Sequence, residues 1–202
     1  MPGRWLAEAR RDYYRRRARE EGFRSRAAYK LLEAVERFRL IKRGDIVVEL
    51  GAWPGGMSQA ASRIVGPQGL VIAVDRREFR SFEEANIITL QLDILEDEVI
   101  DPILDITGGK RVDVLVSDAS PRFIGVRDVD VARQIELTLR SMEIADGLVR
   151  RGGNVMLKAF ECEDLRDVED MLRERFDKVR RFIPRSSRKT SSELYLIGLR
   201  RL

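Results

Sequence analysis

From residue 46 onward, short β-branched runs alternate with amphipathic stretches, and this alternation leaves few folds open to the chain. The runs are Ile46–Leu50, Leu70–Asp75, Ile87–Leu92, Val112–Ser117, Asn154–Phe160, Lys178–Ile183 and Leu194–Leu199. Helical periodicity falls between most of them, clearest over Met57–Val65, Val129–Val149 and Asp164–Phe176. Strand–helix repetition of this kind predicts an α/β fold: a seven-stranded, mostly parallel sheet with helices on both faces. The last two runs are joined by Pro184–Ser192, which carries no helical pattern. A parallel crossover normally contains a helix, so the final strand is expected to run antiparallel. In such sheets a ligand sits outside the carboxyl ends of the strands, where the strand order reverses.

The 202 residues are one domain's worth of chain, read as a basic helical segment (1–43) followed by the α/β core (44–202). The segment Trp5–Glu21 reads as an arginine-studded helix. After Gly22 a second helix is expected, with Ser25 as its N-cap and Ala28, Leu31, Leu32, Val35 and Phe38 as its apolar stripe. Lys30 falls opposite that stripe and by itself reads as an exposed lysine. Residues 1–43 hold 14 Lys and Arg against 6 Asp and Glu, and residues 173–202 hold 10 against 3, although the whole chain is only +4. Two basic ends on an acidic body suit a polyanion, most often nucleic acid, with the body left free for another ligand. Arg10, Arg11, Arg15, Arg16 and Arg26 at one end and Arg185, Arg188 and Lys189 at the other are the candidate residues for that contact.

Several chemistries are excluded. There is no histidine, which removes Ser-His-Asp triads and mixed Cys/His zinc sites, and the single Cys162 allows no internal disulfide. No metal is expected. The amino terminus leads into charge rather than an apolar stretch, and no aliphatic run approaches the ~20 residues of a membrane helix. A cytoplasmic, monomeric protein without membrane contact is the expectation.

The strand ends carry the chemistry. The first runs into Glu49-Leu50-Gly51-Ala52-Trp53-Pro54-Gly55-Gly56 before a helix begins. Its spacing, G-x-x-x-G-G, is not the G-x-G-x-x-G of dinucleotide enzymes, which disfavours a dehydrogenase. Asp75, Asp93 and Asp118 close the next three strands. A lone strand-end Asp is usually a turn or cap, but three around one crevice disfavour a pyrophosphate and favour a ribose and a cation. S-adenosylmethionine offers both.

Residues 49–59 resemble the cofactor loop of the FtsJ/RlmE-like family of S-adenosylmethionine-dependent ribosomal RNA (ribose 2′-O) methyltransferases. Ser25-Arg26-Ala27-Ala28-Tyr29-Lys30-Leu31 is similar to that family's amino-terminal motif. Ser117-Asp118-Ala119-Ser120-Pro121, Leu157-Lys158-Ala159-Phe160 and Ser186-Ser187-Arg188 through Ser192-Glu193-Leu194-Tyr195 resemble its later motifs, in the same order. The resemblance covers residue 12 to the end. It implies a Rossmann-like methyltransferase fold and 2′-O-methylation of a ribose in RNA, most often a uridine of large-subunit ribosomal RNA within a ribosomal subunit. It places the family's Lys-Asp-Lys-Glu tetrad on Lys30, Asp118, Lys158 and Glu193, and cofactor contacts on Gly55, Met57, Asp75, Asp93 and Asp118; Gly51, Trp53, Pro54, Gly56 and Ile94 beside them complete the candidate cofactor site. Departures from the family pattern are Glu49 for its Asp, Trp53 in the loop, and Met57 for its Trp.

Methyl transfer from sulfonium to alcohol is an in-line displacement, dominated by alignment. With no histidine, Lys158 is the candidate general base, which requires a neutral amine. Burial and Lys30 lower its pKa, whereas Asp118 and Glu193 raise it. A role in orienting the hydroxyl and stabilising the developing alkoxide is the alternative. Transfer RNA, messenger caps, or an RNA-binding relative without activity are the competing readings of function.

Overall fold

The computed structural model describes residues 13–187 and 192–202. Strand β1 (Ile46–Leu50) pairs in parallel with β2 (Leu70–Asp75) and with β4 (Val112–Ser117). β2 pairs in parallel with β3 (Ile87–Gln91), and β4 with β5 (Val149–Phe160). β7 (Glu193–Arg201) lies antiparallel between β5 and β6 (Phe176–Phe182), as its helix-free connection predicts. The sheet order is β3-β2-β1-β4-β5-β7-β6, so the winding reverses between β1 and β4.

Alternation along each strand sends successive side chains to opposite faces, and both faces are buried. Val47, Val71, Val114, Val116, Met156, Tyr195 and Ile197 form one face, which packs with α2 (Ala28–Phe38) and α3 (Gly56–Val65). Val48, Leu50, Ile72, Val74, Leu115, Val155 and Leu157 form the other, under α4 (Ile100–Thr107), α5 (Arg127–Leu148) and α6 (Leu165–Arg173). The rim strand β6 exposes Lys178, Arg180 and Arg181, charges that protect an open edge from pairing with another chain.

Three features depart from the sequence reading. Helix α4 lies between β3 and β4, where the sequence pattern marks no clear helix. Ser25 is not an N-cap: α2 starts after Ala27 with no side-chain cap. The Ser25 hydroxyl accepts the Ala27 N–H at 3.3 Å in the turn before α2, and it also lies against the start of α3, where a Cβ on Gly56 would come within 2.2 Å of it. Lys30 is 7% exposed, not a surface lysine, because the first turn of α2, residues 28–31, is buried on every side. Of the amino-terminal helix, α1, residues 13–20 are described and are helical. It stops at Gly22 (φ 75°), where Phe23 N–H bonds Ala18 C=O at 2.7 Å and Gly22 N–H bonds Arg19 C=O.

Candidate active site

The reversal between β1 and β4 brings two chain exits unusually close. Gly51 follows β1 with φ 70°, and a Cβ there would lie 2.5 Å from Ala119 Cα. Only glycine fits both the left-handed backbone and that approach. Asp118 N–H donates to Leu50 C=O at 3.0 Å, which fixes the carboxylate at the junction.

On one side of the junction opens a cleft of about 500 Å³ at the carboxyl ends of β1 to β4. Gly51, Trp53, Asp75, Asp93, Ile94 and Asp118 all line it. Asp75 accepts the Trp53 N–H at 3.0 Å and the Arg77 N–H at 2.9 Å. Arg77 also lies over the Trp53 ring, 4.3 Å from its centre. Asp93 accepts Leu95 N–H at 3.1 Å, an Asx turn that aims it at the cleft. Pro54, Gly55, Gly56 and Met57, expected at the cofactor, do not line this cleft. Gly55 faces Phe82 and Arg24, Gly56 faces Ser25, and Met57 is packed into the core. The rim is also less acidic than the strand ends imply, because Arg76, Arg77, Arg122 and Arg133 line it too.

On the other side of Asp118 lies a closed charge cluster. Lys158 Nζ is 2.7 Å from Asp118 Oδ1 and 3.7 Å from Glu193 Oε2. Lys30 Nζ is 2.6 Å from Glu193 Oε1 and 3.5 Å from Asp118 Oδ1. Side-chain exposure runs from 6% at Lys158 to 18% at Glu193, so these pairs are shielded from water. The sheet register explains the convergence. Lys158 opposes Tyr195 and Phe160 opposes Glu193, so these four side chains share the face that α2 covers with Lys30.

Burial would raise the Asp118 pKa, but the ammoniums of Lys158 and Lys30 outweigh it and hold the group well below the usual carboxylate range. Burial pulls Lys158 down, yet Asp118 and Glu193 prevail and its pKa rises. Lys158 and Asp118 therefore stand as a cation–anion pair, with Lys30 and Glu193 in ion-pair contact around them. Behind it, burial pushes Glu49 up to about 8 despite its hydrogen bond from Ser58, with Asp118 and Asp75 adding to the rise.

Sequence reasoning missed some of the groups around the cluster. Tyr195 accepts from Lys30 at 2.8 Å and donates to Asp118; its position two residues after Glu193 on one strand was the available signal. Ser187 Oγ donates to Glu193 at 3.2 Å. Thr138 Oγ and Gln134 Nε2 hold the Lys158 carbonyl at 2.8 and 3.3 Å, just beyond the last β4–β5 pair.

Of the expected RNA contacts, Arg15 and Arg16 are exposed. Arg26 reaches the Ser186 carbonyl at 2.9 Å, and the 86%-exposed Arg185 lies 3.7 Å from Glu33. The two basic ends therefore meet beside the cluster. Arg10, Arg11, Arg188 and Lys189 lie outside the described residues. Among those described, no group of His, Cys, Asp or Glu is arranged to hold a metal, and no helix is long and apolar enough to cross a membrane.

The comparisons with known proteins point the same way. Residues 23–201 match the FtsJ-like methyltransferase family. The ribosomal RNA large subunit methyltransferase E of Methanothermobacter thermautotrophicus is 44% identical over 198 residues, 98% of this chain and 93% of that protein. That of Methanobrevibacter smithii is 41% identical, covering 98% and 94%. The crystal structure of a Plasmodium falciparum protein described as a ribosomal RNA methyltransferase superposes with a TM-score of 0.80 at 26% identity, covering 89% of this chain and 99% of that one. Strand order and near full-length sequence likeness thus agree: the chain belongs to the FtsJ-like methyltransferase family.

Proposed function

We propose that this protein methylates the 2′-hydroxyl of a ribose in large-subunit ribosomal RNA, at a uridine, with S-adenosylmethionine as the methyl donor. The observation that carries this reading is the double membership of Asp118, which lines the cleft and also pairs with both lysines. A donor in the cleft and an acceptor at the cluster would meet across that one carboxylate.

The cleft suits such a donor. Its volume lies within the 300–1,000 Å³ typical of small-molecule sites. Asp75 and Asp93 each keep lone pairs beyond their backbone partners, as a ribose diol or an amine requires. Gly51, Trp53, Asp75, Asp93, Ile94 and Asp118 are the residues that would hold it, and bound there it supplies an electrophilic methyl group.

The acceptor hydroxyl is assigned to Lys158 and Glu193, with Lys30 at the ribose or its phosphate. Asp118 and Glu193 hold both amines in place, so little reorganisation is left for the reaction itself. For Lys158 to take the hydroxyl proton it must first lose its own, and the flanking carboxylates hold that proton on. Base catalysis by Lys158 then requires a rate that climbs with pH through the neutral range. Arg15, Arg16, Arg26 and Arg185 would hold phosphates, positioning the strand without reading its sequence. Binding as a monomer within a ribosomal subunit completes the reading.

The test is transfer of labelled methyl from S-adenosylmethionine to ribosomal subunits, free ribosomal RNA and transfer RNA, followed by mapping of alkali-resistant linkages. Label at one ribose of large-subunit RNA is expected. Label in transfer RNA, on a base, or nowhere would overturn the proposal.

A further inference from the structure

An apolar step continues the charge cluster outward and has no part in the chemistry described so far. Phe160 closes β5 two residues after Lys158, on the same sheet face, and stands directly opposite Glu193. Directly opposed residues carry their Cβ atoms roughly 5 Å apart. Phe160 is itself 8% exposed because Phe123 lies over it, ring centres 6.0 Å apart and planes 16° from parallel. The outer face of Phe123 is open, at 59% exposure.

The loop that presents Phe123 is held in a defined shape. Asp130, 7% exposed in the first turns of α5, accepts Ile124 N–H at 2.9 Å and Gly125 N–H at 3.1 Å. Gly125 takes φ 85°, which a side chain would strain. A phenylalanine held out to solvent by a buried carboxylate presents a fixed aromatic surface. Exposed Arg122, Arg127 and Arg133 lie on the same loop and the helix that follows it, supplying positive charge for a polyanion.

We propose that Phe123, backed by Phe160, is a stacking platform for an unpaired base flanking the ribose that is methylated. The proposal rests on the functional reading above and adds how the substrate strand is gripped. Two residues along a strand span about 6.6 Å, and the ring stack adds 6.0 Å. The platform therefore stands far enough from Lys158 to face a neighbouring base rather than the target itself. Aromatic stacking accepts any base, because every base has a π-face. It would hold the strand open at the site without setting sequence preference.

The test uses the whole protein and an RNA fragment spanning the mapped methylation site, with 2-aminopurine at each neighbouring position in turn. Wild-type binding is expected to quench the probe at one flanking position. Phe123→Ala should abolish that quench and raise the KM for RNA by about 5- to 150-fold, the range for one lost base–aromatic stack. Cofactor affinity should be unchanged. Phe123→Leu, apolar and of similar bulk, should behave like Phe123→Ala, whereas Phe123→Trp should retain both quench and KM. An unquenched probe at every position, or wild-type KM in Phe123→Leu, would overturn the platform and leave the patch as packing. If the wild type methylates the fragment yet quenches no probe, the platform fails while the functional reading stands.

Discussion

The two halves of the sheet deliver their polar groups by different means. In the half formed by β3, β2, β1 and β4, carboxylates arrive at strand ends, border an open cleft, and are steadied by backbone N–H groups. In the half where β7 enters between β5 and β6, charged groups arrive by cross-strand register, are enclosed, and are steadied by opposite charges. In the first arrangement, removing one residue loses only its own local contacts. The second leaves a buried partner unbalanced, so a single deletion there disturbs the whole cluster.

This contrast can be tested from both sides. The largest effect is expected at Lys158: its replacement by alanine should lower the rate at saturating substrate by at least ~100-fold while cofactor affinity is nearly kept. In the intact enzyme, the logarithm of the single-turnover rate should rise with pH from 6 to 9. A flat profile would assign Lys158 to orienting the hydroxyl as an ammonium.

In the other half, Asp75→Ala should weaken S-adenosylmethionine binding by about 1.5–3 kcal/mol, the range for a hydrogen bond to a charged group. Calorimetry reads this directly, and unchanged affinity in a folded variant would remove β2 from the cofactor site. The rate at saturating cofactor should fall far less than in Lys158→Ala; equal falls would erase the distinction between the halves.

Glu49 sits behind both regions and reports on neither half alone. Its pKa is near 8 in the folded chain against 4.5 for an ordinary glutamate. Between those values the native state binds one more proton than the unfolded state, so stability falls as pH rises, by up to about 1.4 kcal/mol per unit. Glu49→Gln should flatten that slope in urea titrations at pH 5, 6 and 7. A slope like the wild type's would mean that Glu49 is ionised when folded.

The smallest effect is expected at the periphery. Arg15→Ala with Arg16→Ala should leave fold and cofactor affinity intact. The salt dependence of RNA binding should become shallower by roughly 0.7 per lost phosphate contact. An unchanged slope would leave Arg26 and Arg185 as the basic surface.

The same contrast explains what could be read before the fold was known. The central strands β1, β2 and β4 were legible because both sheet faces are buried there, which turns each into a nearly continuous apolar run; the edge strand β6, with exposed Lys178, Arg180 and Arg181, is no such run and was placed by its β-branched and aromatic residues alone. The cleft's Asp75, Asp93 and Asp118 were legible because topology places strand ends together regardless of side-chain detail. The burial of Lys30 was not. A helical stripe marks only the face that meets the main core, and the enclosure of the opposite face comes from β7, more than 150 residues later. Pro54, Gly55 and Gly56 illustrate the other limit: a glycine-rich turn shows that the backbone bends sharply, not toward what. Phe82 and Ser25 occupy the space that the two glycines leave.

The insertion of β7 also orders events in time. Cleft residues span positions 51 to 137 and come from elements close in sequence. The ion pair between Lys30 and Glu193 closes a separation of 163 residues. Contacts that distant carry a large loop-closure entropy and form late in folding. β7 must also be received between two strands made before it. A growing or partly unfolded chain could thus assemble the cleft while the charge cluster is still apart. Under mild denaturation, loss of turnover is expected to precede loss of the cleft, and refolding should restore them in the opposite order.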